Sequence, residues 1–325
     1  MLQNPPADDQ EKLLANALEL YSMAKLEAVL GTSREHLRFL AGHSGALYKP
    51  FQKRDKARPF AKKEKTPKKK PRIIDNPLDH LKVVQKGINR QLLEIVAFPD
   101  YILGGVPRKR VLDNVMLHLG APVLVTLDIK NFFRRITNIQ VYEVWRDVLD
   151  CSPKLAALLT RLTTFERHLP QGAPTSSLLA NLVLHSCDFS IRDECRRRGV
   201  TYSTWVDDLA FSGREAREVI SVAVRALTLA GFAVSHRKLR VMGPATRKVL
   251  NGVLLNRFPG AVPEYLKRIR SGIHKLQMGL VPPLESDKYV RSLLGAINHI
   301  SSIEPKKGAK LRNRLEAITL GSSAM

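Results

Sequence analysis

Cysteine is scarce in this chain, with three in 325 residues, at Cys151, Cys187 and Cys195. They form no CxxC pair and are odd in number, which speaks against a disulfide framework or a thiolate zinc site and fits reduced thiols in a cytoplasmic setting. Long apolar runs are missing too. None approaches the roughly 20 residues needed to span a bilayer, and the opening Met1-Leu2-Gln3-Asn4-Pro5-Pro6 lacks the basic-then-apolar build of a signal peptide. Acidic residues are few: 30 Asp and Glu face 53 Lys and Arg, a net charge of +23. Such an imbalance calls for a polyanionic partner, nucleic acid first and an anionic membrane surface second. Without an apolar span the membrane falls to a distant second.

The 44% of hydrophobic residues is enough to bury a substantial core, in one large domain or a few tightly joined subdomains. No internal repeat is evident, and no linker divides the chain into independent halves. Leu13, Leu14, Ala17, Leu18 and Tyr21 stand at helical spacing, and Thr32-Ser33-Arg34-Glu35 offers a capping box for a second short helix. Between Lys53 and Arg72, 11 of 20 residues are Lys or Arg against Asp55 and Glu64. With Pro59, Pro67 and Pro71 this window is expected as an extended basic loop suited to phosphate contact. Leu81, Val84, Ile88, Leu92 and Ile95 follow at the spacing of an amphipathic helix.

Chemistry enters with the carboxylates. Val123-Leu124-Val125-Thr126-Leu127 reads as a buried strand that ends on Asp128. Downstream, Tyr202 to Ser212 reads as two short strands that meet at Asp207-Asp208. Adjacent side chains of a regular strand face opposite ways, so only a tight hairpin bend brings both acids to one place. Like charges held so close need a cation. Three carboxylates suit magnesium, a hard ion that prefers oxygen ligands. Two such ions would clamp the attacking and leaving oxygens of an in-line phosphoryl transfer.

Together these segments resemble reverse transcriptases, in the right order of blocks from about Leu30 to Ile303. Lys70-Pro71-Arg72-Ile73-Ile74 resembles the family's fingers segment, and Asp128-Ile129-Lys130-Asn131-Phe132-Phe133 its first catalytic block. Leu169-Pro170-Gln171-Gly172-Ala173-Pro174-Thr175-Ser176 resembles the PQGxxxSP block at the head of a helix running from about Ser176 towards Arg198. Trp205-Val206-Asp207-Asp208 corresponds to YxDD, with Trp in place of Tyr. The resemblance implies an α/β right-hand polymerase whose palm is built on an antiparallel sheet. The expected divisions are a helical N-terminal extension (1–30), fingers (31–120, with the basic loop 53–72), palm (121–250) and thumb (251–325). It further implies that Asp128, Asp207 and Asp208 hold two magnesium ions and that Arg72 and Lys70 meet the triphosphate of a deoxynucleotide. Gln171 and Gly172 would line its pocket, Phe133 would gate its sugar, and Lys238 would protonate the leaving pyrophosphate.

Three more blocks resemble the bacterial retron type: Asn114-Val115-Met116-Leu117-His118, Leu250-Asn251-Gly252-Val253-Leu254-Leu255-Asn256, and Leu294 to Ile300. That likeness implies a dedicated structured noncoding RNA as template and primer, an RNA-linked DNA product, an accessory effector protein and a role in defence against phage. Asn114, His118, Asn251 and Asn256 are then candidate RNA contacts. Beyond them Leu266, Ile269, Ile273 and Leu276 form one helical stripe, with Lys267, Arg270 and His274 on another face that suits an RNA or RNA/DNA hybrid backbone. Two alternatives stay open: another bacterial reverse transcriptase, standalone or related to group II introns, and a noncatalytic RNA-binding scaffold on a polymerase fold.

Overall fold

The structure, a computed structural model, describes residues 22–53 and 71–321. The described residues divide into two compact units. One comprises 22–53, Arg72–Asn114 and Ala121–Pro244, and the other includes Val115–Gly120 and everything from Ala245 onward. Most described residues of 31–120 and 121–250 fall in the first unit, and 115–120 and 245–250 in the second. Most of the N-terminal extension and nearly all of the basic loop lie outside the described residues, Lys70 among them.

In the first unit, β1 (Tyr48–Lys53) pairs antiparallel with β2 (Arg72–Pro77), with Lys53 opposite Arg72. The central sheet has the order β4-β5-β3-β6, from β3 (Leu124–Asp128), β4 (Thr201–Trp205), β5 (Asp208–Ser212) and β6 (Arg240–Met242), all antiparallel. The expected buried strand is β3, whose side chains are covered on both faces except for partly exposed Thr126, which is why it reads as a continuous apolar run and not as an alternation. The helix Ser176–Cys187 is buried almost all round and contributes Leu179, Leu182 and Val183 to the same core as Trp145 and Phe211.

Local chemistry moved three expected boundaries. The second helix begins at Arg34 with Ser33 as its N-cap, whose hydroxyl accepts from the His36 N–H, while Thr32 donates to the Leu30 carbonyl. The cap thus lies one residue beyond the expected Thr32–Glu35 box. The helix Asp79–Ile88 passes into a π-turn, Asn89–Leu93. Its wider winding shifts the apolar stripe, so Leu92 and Leu93 are buried and Ile95 is 55% exposed. The helix expected to run from Ser176 towards Arg198 breaks at Asp188 into Ser176–Cys187 and Phe189–Arg197. The Asp188 carboxylate is drawn inward, where it accepts from Arg192 Nε (2.7 Å), Tyr202 Oη (3.1 Å) and Tyr101 Oη (3.3 Å).

The second unit holds a small sheet of β7 (Val249–Leu250), β8 (Val253–Leu254) and β9 (Gly260–Ala261), followed by the helices Pro263–Gln277, Pro283–Ile303 and Pro305–Gly321. The expected stripe is borne out: Leu266, Ile269 and Ile273 pack against Leu293, Ile297, Ile300 and Leu315, with Leu276 at the margin. No described helix is long and apolar enough to cross a membrane.

Candidate active site

The β4–β5 hairpin turns on two residues, Val206 and Asp207. Val206 has φ 59°, a left-handed conformation that a β-branched residue adopts only under constraint. The constraint is visible. Residues 101–104 lie against β4 through a single parallel bridge at Ile102, with the Leu103 N–H on the Thr204 carbonyl (3.0 Å) and the Thr204 N–H on the Tyr101 carbonyl (2.8 Å). Gly104 approaches so closely that a Cβ there would stand 2.4 Å from the Val206 nitrogen. From the helix below, Asn181 Nδ2 donates to the Gly104 carbonyl at 2.8 Å.

The turn delivers the acids. Antiparallel register sets Asp128 opposite Asp208, and the Ile129 N–H donates to the Asp207 carbonyl at 3.0 Å. Asp128, Asp207 and Asp208 line one cavity of about 320 Å³ together with Arg72 and Lys238. Lys238, held by a turn whose N–H bonds return to Ser235, places its ammonium on Asp128 Oδ2. Burial pushes both hairpin acids above the usual carboxylate range, Asp208 to about 6, and the charges of their carboxylate neighbours add to it. Hard oxygen donors in partly buried, mutually repelling array are the donor set a divalent cation satisfies, and Lys238 neutralises only Asp128 directly. The arrangement fits such an ion, although the three side chains are not drawn into one ligand cluster among the described residues.

Phe133, Gln171 and Gly172, the other expected nucleotide contacts among the described residues, do not line this cavity. Phe132 is core, 2% exposed and packed on Phe232 at 5.3 Å between centroids. Phe133 is only partly buried, so of the two rings it is the one that offers surface to a substrate. Gln171 pairs with β2, its carbonyl accepting from the Asp75 N–H (2.9 Å) and its own N–H donating to Asp75 Oδ2 (3.2 Å). Gly172 has φ 125°, and a Cβ there would meet Ile74 Cγ2 at 2.7 Å. Asp75, which accepts from Arg134 Nη2 at 2.9 Å, and Arg134 itself were not singled out by the motifs; an acid after Ile73-Ile74 was the only available signal.

The retron-like blocks divide differently. Asn114 and His118, expected as RNA contacts, are buried. Asn114 Oδ1 accepts from Ser203 Oγ on β4 at 2.6 Å, and burial lowers His118 to about 4, so it is neutral. Asn251 and Gly252 both take positive φ, 47° and 81°, between β7 and β8, the requirement of a type I′ hairpin turn. The Asn256 amide also works internally, accepting from the Lys248 N–H (2.8 Å) and donating to the Thr246 carbonyl (2.9 Å). Lys267 and Arg270 are exposed on the helix Pro263–Gln277. All three cysteines are free, and burial pushes each thiol up, in keeping with a structural role.

The profile of the family described as "Reverse transcriptase (RNA-dependent DNA polymerase)" matches residues 61–253, more than half of the chain. Among curated proteins, the chain is 27% identical over 256 residues to the Retron Ec86 reverse transcriptase of Escherichia coli, covering 78% of each chain. It is 26% identical over 358 residues to the Retron Mx162 reverse transcriptase of Myxococcus xanthus, covering 97% of this chain and 71% of that one. To the Retron Se72 reverse transcriptase of Salmonella heidelberg it is 29% identical over 197 residues, 61% of this chain and about half, 49%, of the relative.

Proposed function

The chain belongs to the reverse transcriptase (RNA-dependent DNA polymerase) family, and from that premise we propose that it is the polymerase of a retron, copying a dedicated structured RNA into DNA that stays joined to it. The observation that carries the catalytic half is the strained Val206 turn, which sets Asp207 and Asp208 against Asp128 in one cavity with Arg72 and Lys238. The retron half rests on the relatives named above. We assign residues 31–120 to the fingers, 121–250 to the palm and 251–325 to the thumb.

In this reading Asp128, Asp207 and Asp208 would hold two magnesium ions, which when bound stabilise the charge developing on the attacking and leaving oxygens. The chain's own groups do the rest. Arg72 meets the triphosphate of the incoming deoxynucleotide. Lys238 carries a proton toward the pyrophosphate side. Gln171 and Gly172 form the wall along which base and sugar lie, and Phe133 crowds a ribose 2′-hydroxyl. Lys267 and Arg270 follow the backbone of the template–product duplex. An accessory effector protein and a role in defence against phage belong to the same proposal.

The test is extension of a primer on an RNA template by purified wild type and Asp207→Asn, with the RNA that copurifies from the native host analysed alongside. Wild type extends and Asp207→Asn does not, while both retain RNA. Extension by Asp207→Asn at near wild-type rate would refute the catalytic assignment. Recovery of free DNA alone, with no discrete RNA attached, would refute the retron.

A further inference from the structure

Asp75 lies on β2 three residues beyond Arg72, and its carboxylate has no exposed surface. A buried acid is costly unless donors surround it, and here they arrive from two distant segments. Arg134 Nη2 donates to Oδ1 at 2.9 Å from 59 residues away. The Gln171 N–H lies at 3.2 Å from Oδ2, 96 residues away, and His168 Nε2 at 3.4 Å from the same oxygen. The Asp75 N–H returns a bond to the Gln171 carbonyl at 2.9 Å.

What these donors carry is informative. Arg134 directly follows Phe133. Gln171 precedes Gly172, which sits over Ile74 with no room for a Cβ. Arg72 is on the same strand as the acid itself. One carboxylate therefore ties together three segments: β2, which brings Arg72 to the cavity, and the two that carry Phe133 and Gln171–Gly172, assigned to the same nucleotide above. A purely space-filling position would be served as well by an apolar side chain; this one fixes the relative placement of a cation, an aromatic ring and a backbone wall.

We propose that Asp75 is a positioning residue for the incoming deoxynucleoside triphosphate, holding Arg72, Phe133 and Gln171–Gly172 in one frame through Arg134 and the Gln171 N–H. The inference rests on the polymerase reading above and adds to it a residue that touches no substrate. Asp75 acts before chemistry, on how well the nucleotide is seated, so its loss weakens nucleotide binding more than turnover. Asp75→Asn keeps an acceptor for the Gln171 N–H but gives up the ionic bond to Arg134. Arg134→Gln removes the same bond from the half-exposed side and spares the buried position.

Single-nucleotide extension on an RNA template, with deoxynucleotide concentration varied, separates the roles. In Asp75→Asn the KM for the nucleotide rises about tenfold, the equivalent of about 1.4 kcal/mol, while kcat at saturation and affinity for the RNA template–primer stay near wild type. Arg134→Gln shows the same direction at about threefold, and supplies the result if the buried variant fails to fold. A wild-type KM in either folded variant, or a fall in kcat and RNA affinity with KM unchanged, would overturn the proposal. Wild-type protein that extends no primer would strike the polymerase reading itself, so the two failures are read separately.

Discussion

Gly104 shows how narrow the tolerance is at single positions of this site. Its backbone fills the space beside the Val206 turn so closely that a methyl group would fall 2.4 Å from the Val206 nitrogen, against backbone and not against a yielding side chain. Gly104→Ala must therefore shift either the 101–104 segment or the hairpin. The segment is held from the helix side by Asn181 and is hydrogen-bonded to Thr204 of the hairpin itself, so the displacement passes to the hairpin and its two aspartates. A displacement of about 1 Å in a reacting constellation costs on the order of a hundredfold in rate, and that is the loss expected in primer extension. Because Gly104 and its neighbours Ile102 and Leu103 are buried, the melting temperature falls as well, while RNA binding changes little. Gly42→Ala, where nothing lies within 4 Å of the added carbon, is the matched control and keeps full activity. Equal activity in the two variants would show that the hairpin adapts.

The same scale separates what was legible in the residues from what was not. Asp128, Asp207, Asp208, Arg72 and Lys238 were readable because each sits in a short contiguous block that resembles the family's, and the structure gathers all five around one cavity. Gly104, Asn181 and Asp75 were not. Their importance lies in contacts between segments tens of residues apart, and nothing in their immediate neighbours marks them. Asn114 and His118 were legible as a block but not as to place, since a motif does not say which way its side chains face.

Among the elements, strands were read best where burial made them continuous, as in β3, or where an acid pair broke them, as in the β4–β5 hairpin. Helix lengths were read worst. A π-turn after Ile88 and the kink at Asp188 both leave the apolar spacing nearly intact, so periodicity alone could not find them. The kink has a consequence in pH. Burial pushes the Asp188 carboxyl up to about 6, against the pull of Arg192, Tyr202 and Tyr101. Because the folded-state value lies above the unfolded one of about 4, the folded protein holds this proton more tightly between about pH 4 and 6. The contribution is therefore full at the acid end and is lost as pH rises through the folded value. Measured as melting temperature of wild type minus Asp188→Asn, the gap shrinks from pH 4.5 to pH 7, since Asn mimics the protonated acid. A gap that widens over that range would mean that the Arg192 pair, and not burial, sets the titration.

At the scale of the whole molecule, the excess of 23 positive charges is unevenly spread. Nine of them come from residues 53–72, and the segment from Ala245 onward carries 14 Lys and Arg against five Asp and Glu. Polymerases must hold a duplex of any sequence, and contacts to phosphate achieve this through counterion release, which makes affinity fall steeply with salt. The helix Pro263–Gln277 presents Lys267 and Arg270 outward because Leu266, Ile269 and Ile273 are committed to the core behind them. Neither cation supports the fold, so removing their charge is a clean probe of the face. In Lys267→Gln/Arg270→Gln the slope of log affinity against log salt becomes shallower by roughly 1.4 to 1.8, at about 0.7 to 0.9 per lost phosphate contact. Affinity weakens by the same factor on unrelated RNA/DNA hybrids, since phosphate contacts carry no sequence information. Filter binding at four or five salt concentrations gives both quantities. An unchanged slope would take the duplex off this face, and a loss confined to one RNA sequence would mean that the two side chains read bases.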